Sequence, residues 1–201
     1  MAVIGITGGI ASGKSTFVRA LSNIVSAEVF DADACARRLL ESDPAVREAV
    51  VRDILPTAYL PDGTPDRAAI RAVVFSNPQA KARLEAILHP LVRKSWQALA
   101  DEARVKRSDL LVDIPLLFET GASSLFDAVV TIACSPEIQI QRAMSRGLKR
   151  DQVEQIIASQ WDNARKTAHS DFVVWNDGSI RMLEAQALRF ASRLKSSPPK
   201  K

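Results

Sequence analysis

Apolar residues along this chain come in short runs separated by longer amphipathic stretches. Residues 1–6, Met-Ala-Val-Ile-Gly-Ile, show no polar alternation, the pattern of a strand buried on both faces. Comparable runs recur at residues 27–30, 110–114, 128–133 and 172–175, with helical patterns between them. That alternation predicts a five-stranded parallel α/β sheet with helices on both faces. Between Asp31 and Arg107 there is no strand pattern, so a helical insertion separates the second strand from the third. Within it, Asp43-Pro44 and Asn77-Pro78 each set a capping side chain before a proline at the first helical position. Leu55-Pro56 and Leu60-Pro61-Asp62-Gly63 read as a breaker and a turn. The helical pattern of residues 79–103 contains Pro90, which predicts a kink or a restart. Ser135-Pro136 opens a further helix, Gly147 ends it, and Asp151 with Glu154 reads as a capping box for the next. Residues 196–201, Ser-Ser-Pro-Pro-Lys-Lys, are too polar and proline-rich to pack and are expected to be disordered.

Composition narrows this picture only a little. A chain of 201 residues, 47% hydrophobic and 25% charged, is long enough for one domain with a real core. The net charge of +4 favours polyanions, and phosphorylated small molecules satisfy it as well as nucleic acid does. Aromatic residues make up 5% and form no stripe among the basic ones, so base stacking has few platforms and nucleic-acid binding is not expected. Cys35 and Cys134 match no metal spacing and read as idle thiols of a reducing cytoplasm. No run approaches the roughly 18 apolar residues of a membrane span, and the first strand begins at the N-terminus with no leader before it. A cytoplasmic protein without membrane association is the expectation.

The chemistry concentrates after the first strand. Gly8-Gly9-Ile10-Ala11-Ser12-Gly13-Lys14-Ser15-Thr16 fits G-x-x-x-x-G-K-[ST]. Gly8 and Gly13 let backbone amides approach phosphate oxygens, Lys14 carries a point charge to the β- and γ-phosphates, and Ser15 offers a hydroxyl to Mg²⁺. The helix beginning near Lys14 turns its positive end to the same place. A strand before and a helix after distinguish this from a glycine-rich turn that binds nothing. The second strand runs into Asp31-Ala32-Asp33 beyond its carboxyl end, where α/β sheets bind ligands. One acid could reach Mg²⁺ through water while the other takes a proton from a hydroxyl, or one could cap the following helix; position does not choose between them. Leu110-Leu111-Val112-Asp113 resembles a Walker B strand, making Asp113 a second water-mediated metal candidate or a structural carboxylate. His89 with Arg93 one turn on is a weaker candidate pair. Arg142 and Arg146 share a helix face, with Lys149 and Arg150 beyond, as in the basic lid of a small phosphotransferase. The segment 114–119 reads as core or as the wall of a flat ligand site.

In this order the residues resemble the dephospho-coenzyme A kinase family. The marks are residues 7–15 and Asp31-Ala32-Asp33 with Arg37. Asp62-Gly63, Arg67, Phe75 and Leu88-His89-Pro90 follow, then Pro115-Leu116-Leu117-Phe118-Glu119. Gln141-Arg142, Arg146, Gln160, Lys166 and Asn176 complete the set. The resemblance implies transfer of the γ-phosphoryl of ATP to the ribose 3′-hydroxyl of dephospho-CoA, with Mg²⁺ as cofactor. It implies a P-loop NTPase fold carrying a helical substrate-binding insertion and a helical lid. On this basis residues 1–195 are one kinase domain: core 1–30, 108–141 and 170–195, insertion 31–107, lid 142–169.

Carried over by position, Asp33 is the base or hydroxyl-orienting acid, and Lys14 and Arg142 are the charge stabilisers. Arg38, His89, Arg93, Pro115 and Leu116 lie on the acceptor side. Gly9, Ala11, Ser12, Gly13, Lys14, Ser15, Thr16, Arg142 and Asn176 contact ATP. A monomer or small homo-oligomer is expected. Asp113 is not a fixed feature of the family, and Gln160-Trp161-Asp162-Asn163 and His169-Ser170-Asp171 depart from its usual spelling. The rivals are a P-loop kinase for a nucleoside, a nucleoside monophosphate or shikimate, and a GTP-binding switch. No asparagine begins the Asn-Lys-x-Asp segment that usually selects guanine.

Overall fold

A computed structural model describes residues 2–196. In chain order its elements are β1 (Val3–Thr7), α1 (Lys14–Val25), β2 (Glu28–Asp31), α2 (Ala32–Ser42), α3 (Pro44–Asp53), α4 (Arg67–Ser76), α5 (Pro78–Lys106), β3 (Leu110–Asp113), β4 (Ala128–Ala133), α6 (Pro136–Met144), α7 (Arg150–Ala158), α8 (Asn163–Ala168), β5 (Phe172–Trp175) and α9 (Ile180–Ser196). They divide into two units. One runs to Asp31 and resumes at Leu99; the other is Ala32–Ala98.

The first unit is built on a five-stranded sheet of order β2-β3-β1-β4-β5 with every pairing parallel. All residues of β1, β3 and β4 are buried, which is why these segments carry largely apolar runs; the edge strands β2 and β5 each have a single buried residue, Phe30 and Val174. On one face Ile4, Ile6, Val130 and Ile132 meet Phe17 and Leu21 of α1 and Leu183, Ala187 and Phe190 of α9. On the other face a Cβ at Gly5 would lie 2.6 Å from Leu117 and 2.8 Å from Phe126, so the sheet there is packed against the segment after β3. Because parallel strands all point one way, the loops after β1, β2, β3, β4 and β5 gather at one edge.

The second unit is helical, with Val46, Val50, Ala58, Ile70 and Leu88 as its centre. Asp43 caps α3, accepting from the amides of Ala45 and Val46, and Asn77 accepts from Gln79 and Ala80 at the start of α5. Gly63, at φ 87°, turns the chain between Tyr59 and Pro65, which form an isolated antiparallel bridge.

One local expectation is corrected, and two are met only in part. α5 runs without restart through Pro90. Pro90 and Ala86, whose carbonyl has no amide proton to accept from Pro90, are both exposed, so that carbonyl lies on a face open to water. The cap of α7 lies two residues before the expected Asp151 and Glu154: the Gln152 side chain accepts from the Lys149 amide, and Glu154 pairs with Arg150 instead. At the C-terminus, Ser196 closes α9, and residues 197–201 of the expected disordered tail lie outside the described residues.

Candidate active site

The loop between β1 and α1 is shaped by backbone requirements. Gly13 sits at φ 93° as the residue before α1, and a Cβ there would collide with the side-chain amide of Asn176. Position 13 therefore demands glycine twice over, for conformation and for space. The first turn of α1 has neither a capping side chain nor an acidic residue, leaving its amides and positive dipole end for an anion. At the root of the loop, Thr7 Oγ1 donates to the Pro115 carbonyl at 3.0 Å.

Charge is arranged around that helix end. The Lys14 ammonium forms an ion pair with Asp113 at the end of β3, both side chains nearly buried. Asp113 is the register partner of Asp31 at the end of β2, so two carboxylates stand side by side at the sheet's edge. Ser15 is exposed one residue into α1. Among the described residues no cluster of three or more histidine, cysteine or acidic side chains suits a metal. One hydroxyl and two adjacent carboxylates are hard oxygen donors of the kind magnesium accepts when substrate phosphates and water fill its other positions, so the donor set fits.

Asn176, buried just after β5, donates from Nδ2 to the Ser12 carbonyl at 2.8 Å, and its own amide donates to Ala133 at 2.7 Å. Its carbonyl accepts from Arg142 of α6 at 2.9 Å, and Arg142 also reaches Gly178 at 3.4 Å. Arg142 thus ties α6 to the segment 176–178. Asp177 accepts from the Ser135 amide and from the Trp175 indole, the amide first, and these hold its carboxyl below the usual carboxylate range. Burial pushes the neighbouring Cys134 thiol up to about 11, against the pull of Arg142.

At α8 lies a buried ion pair. Lys166 of α8, fully inaccessible, bonds Glu119 and the Pro115 carbonyl, each at 3.0 Å. Glu119 Oε1 also accepts from the Trp161 amide at 2.8 Å, while its Oε2 has no partner. Burial lowers the Lys166 pKa, with Glu119 opposing. Trp161 stacks on Phe118 with centroids 5.7 Å apart, and the Arg165 guanidinium lies 3.4 Å above the Trp161 ring. In the segment after β3, Ile114, Leu117 and Phe118 are core, and Pro115 and Leu116 remain partly exposed.

The remaining sequence candidates lie in the helical unit. Asp33 is exposed in the first turn of α2, two residues past the end of β2, and Arg38 is exposed further along the same helix. His89 and Arg93 stand one turn apart on α5. Burial lowers the His89 pKa, with Glu85 raising it and Arg93 lowering it further.

Known proteins carry the same fold and a similar sequence. The dephospho-CoA kinase (CoaE) family model matches residues 2–182. The chain belongs to the dephospho-CoA kinase family. It is 39% identical to a curated dephospho-CoA kinase of Anaeromyxobacter dehalogenans over 99% of both chains. The solved dephospho-CoA kinase from Campylobacter jejuni superposes with a TM-score of 0.71 at 25% identity, covering 96% of this chain and 97% of that one. A shikimate kinase from Acinetobacter baumannii, solved with shikimate, shares the fold alone, with a TM-score of 0.53 and 13% identity over 100% of this chain and 96% of that one.

For this kinase family member, sequence reasoning left Glu119 and Lys166 as family marks without a task and passed over Gln139 and Asp177. Gln139 had a signal: it falls four residues before buried Ala143 on α6, a polar residue on an apolar stripe. Asp177 had none, because its partners are a backbone amide after β4 and an indole.

Proposed function

We propose that this chain transfers the γ-phosphoryl group of ATP to the ribose 3′-hydroxyl of dephospho-CoA, giving CoA and ADP, the final step of coenzyme A biosynthesis. The reading is carried by one observation: a family match across nearly the whole chain falls on an uncapped helix start preceded by Gly13 and flanked by the Lys14–Asp113 pair. Among the described residues no helix is long and apolar enough to cross a membrane. Both cysteines are free and buried, which supports the reading of a reducing cytoplasmic setting.

The amides of residues 9–16 cradle the phosphates, and Lys14 exchanges Asp113 for the β- and γ-oxygens as the nucleotide arrives. Asn176 and Arg142 define the donor side through their grip on Ser12 and on residues 176–178. Arg38, His89, Arg93, Pro115 and Leu116 take the acceptor. Asp33 accepts the proton of the 3′-hydroxyl while its oxygen bonds to the γ-phosphorus and the bridging oxygen leaves with ADP. Lys14 and Arg142 balance the charge gathering on the transferred group. Magnesium, when bound, supplies charge neutralisation on the phosphate oxygens, held by Ser15 and, through water, by Asp31 and Asp113.

The test is ADP release with dephospho-CoA as acceptor, run beside adenosine and shikimate. Turnover should depend on dephospho-CoA, and Asp33→Asn should lower it by about 10²–10⁴ while ATP affinity stays. No dephospho-CoA-dependent ADP would refute the function. Near-normal turnover in Asp33→Asn would remove that residue from the chemistry.

A further inference from the structure

The crown of the phosphate loop is a turn in which the Ser12 amide donates to the Gly9 carbonyl at 3.2 Å, with Ile10 and Ala11 at its tip. Ala11 has a φ of 56°, in the left-handed region where such turns usually place glycine. Nothing within the turn favours that conformation for an alanine. The bonds that hold it come from elsewhere in the first unit.

Both polar groups flanking Ile10 are taken by side chains distant in sequence. Its amide donates to Gln160 Oε1 at 3.1 Å, and its carbonyl accepts from Gln139 Nε2 at 2.9 Å. Gln139 is itself oriented. Asn163 Nδ2 donates to Gln139 Oε1 at 3.3 Å and to the Cys134 carbonyl at 2.6 Å, so the Gln139 amide nitrogen faces the loop. A Cβ at Gly9 would run into that nitrogen, so the glutamine lies flat against the loop. Ala11 is buried with Ala143 of α6 and Val153 of α7, and Ile10, Ile140, Leu148 and Ile157 pack around them.

We propose that Gln139 and Gln160 are positioning residues of the donor site, clamping the Ile10 peptide so that ATP meets a phosphate loop already in its binding shape. The amides that follow the crown inherit their direction from it, and a loop set in advance loses less freedom on binding. Gln160 lies between α7 and α8, in the segment expected to form the lid, so lid and loop share one hydrogen bond. This inference rests on the nucleotide reading of the loop.

The partly exposed Gln160 is the residue to change, and Gln160→Met keeps its bulk while removing the acceptor. In full-length protein the Ile10 amide should exchange with solvent faster than in wild type. Binding of Mg·ADP, followed by calorimetry, should weaken by about 5- to 10-fold, the size of one lost hydrogen bond. KM for ATP should rise while KM for dephospho-CoA stays put, a split that general destabilisation would not produce. Gln139→Leu should repeat the pattern from the other side of the peptide.

Wild-type protein with no affinity for Mg·ADP would sink the nucleotide reading and the clamp with it. Wild-type affinity persisting in Gln160→Met, unchanged exchange at Ile10, or equal rises in both KM values would overturn the clamp alone.

Discussion

Replacing Lys166 by methionine should be among the most damaging single changes in this chain, and changing its partner as well should repair most of the harm. Lys166 is fully inaccessible and bonds Glu119 and the Pro115 carbonyl. Glu119 is 16% exposed at its side chain, and one of its oxygens already lacks a partner. Methionine fills a similar volume, so the loss is electrostatic: a buried carboxylate keeps only the Trp161 amide. Removing one member of such a pair costs about 3–5 kcal/mol, whereas replacing both by neutral groups is often near neutral. At about 2–4 °C per kcal/mol for a chain of this size, the single variant should melt roughly 6–20 °C lower.

Urea melts of wild type, Lys166→Met, Glu119→Gln and the double variant close the cycle. Strong non-additivity is expected, with the double variant more stable than Lys166→Met. The pH dependence has a definite sign. Burial lowers the Lys166 pKa below 10.5, so between the folded value and 10.5 the unfolded chain binds more protons. Its contribution to stability grows as pH rises through that window and is lost as pH falls through the folded pKa. Lys166→Met should lack this slope. Single variants within about 1 kcal/mol of wild type, or an additive cycle, would refute the reasoning.

Two further outcomes follow from the geometry. Gly13→Ala should cost about 1–3 kcal/mol, because φ 93° strains an alanine and its methyl displaces Asn176 from Ser12. It should also weaken Mg·ADP binding, and wild-type values in both a melt and a titration would contradict the account. His89 is held below its ordinary pKa of 6.5 by burial, so its contribution to stability is full above 6.5 and is lost as pH falls through the folded value. Urea midpoints between pH 5 and 7.5 should therefore fall less steeply in His89→Gln, and parallel curves would show that His89 does not titrate with unfolding.

The sheet was legible because its physics is local. β4 matches its apolar run residue for residue, and β1 and β3 do so within two residues, since central strands of a parallel sheet have little room for polar side chains; the edge strand β5 also matches, though Val173 and Trp175 are exposed. The caps at Asp43 and Asn77 were legible for the same reason: a side chain and the amides it accepts from are two or three residues apart. Pro90 predicts a kink or a restart; α5 does not restart there, because the carbonyl that proline frees lies on an exposed face where water can serve it. The α7 cap misled because Asp151 and Glu154 spell a capping box, but Gln152 reaches back first.

At the site, the split follows the range of each interaction. The phosphate loop is contiguous, so its residue types announce its chemistry. The groups that hold it in shape come from three separate segments: Gln139 on α6, Gln160 after α7 and Asn176 after β5. Each is an uncharged amide: Gln160 and Asn176 stand out only through the family resemblance and Gln139 only through its place on an apolar stripe, and the bond each makes to the loop appears only in the structure. Local spelling therefore proposes which residues would touch the phosphates, and long-range packing sets the shape in which the loop would meet them. Changes at residues 139, 160 and 163 should alter nucleotide affinity though none lies in the loop.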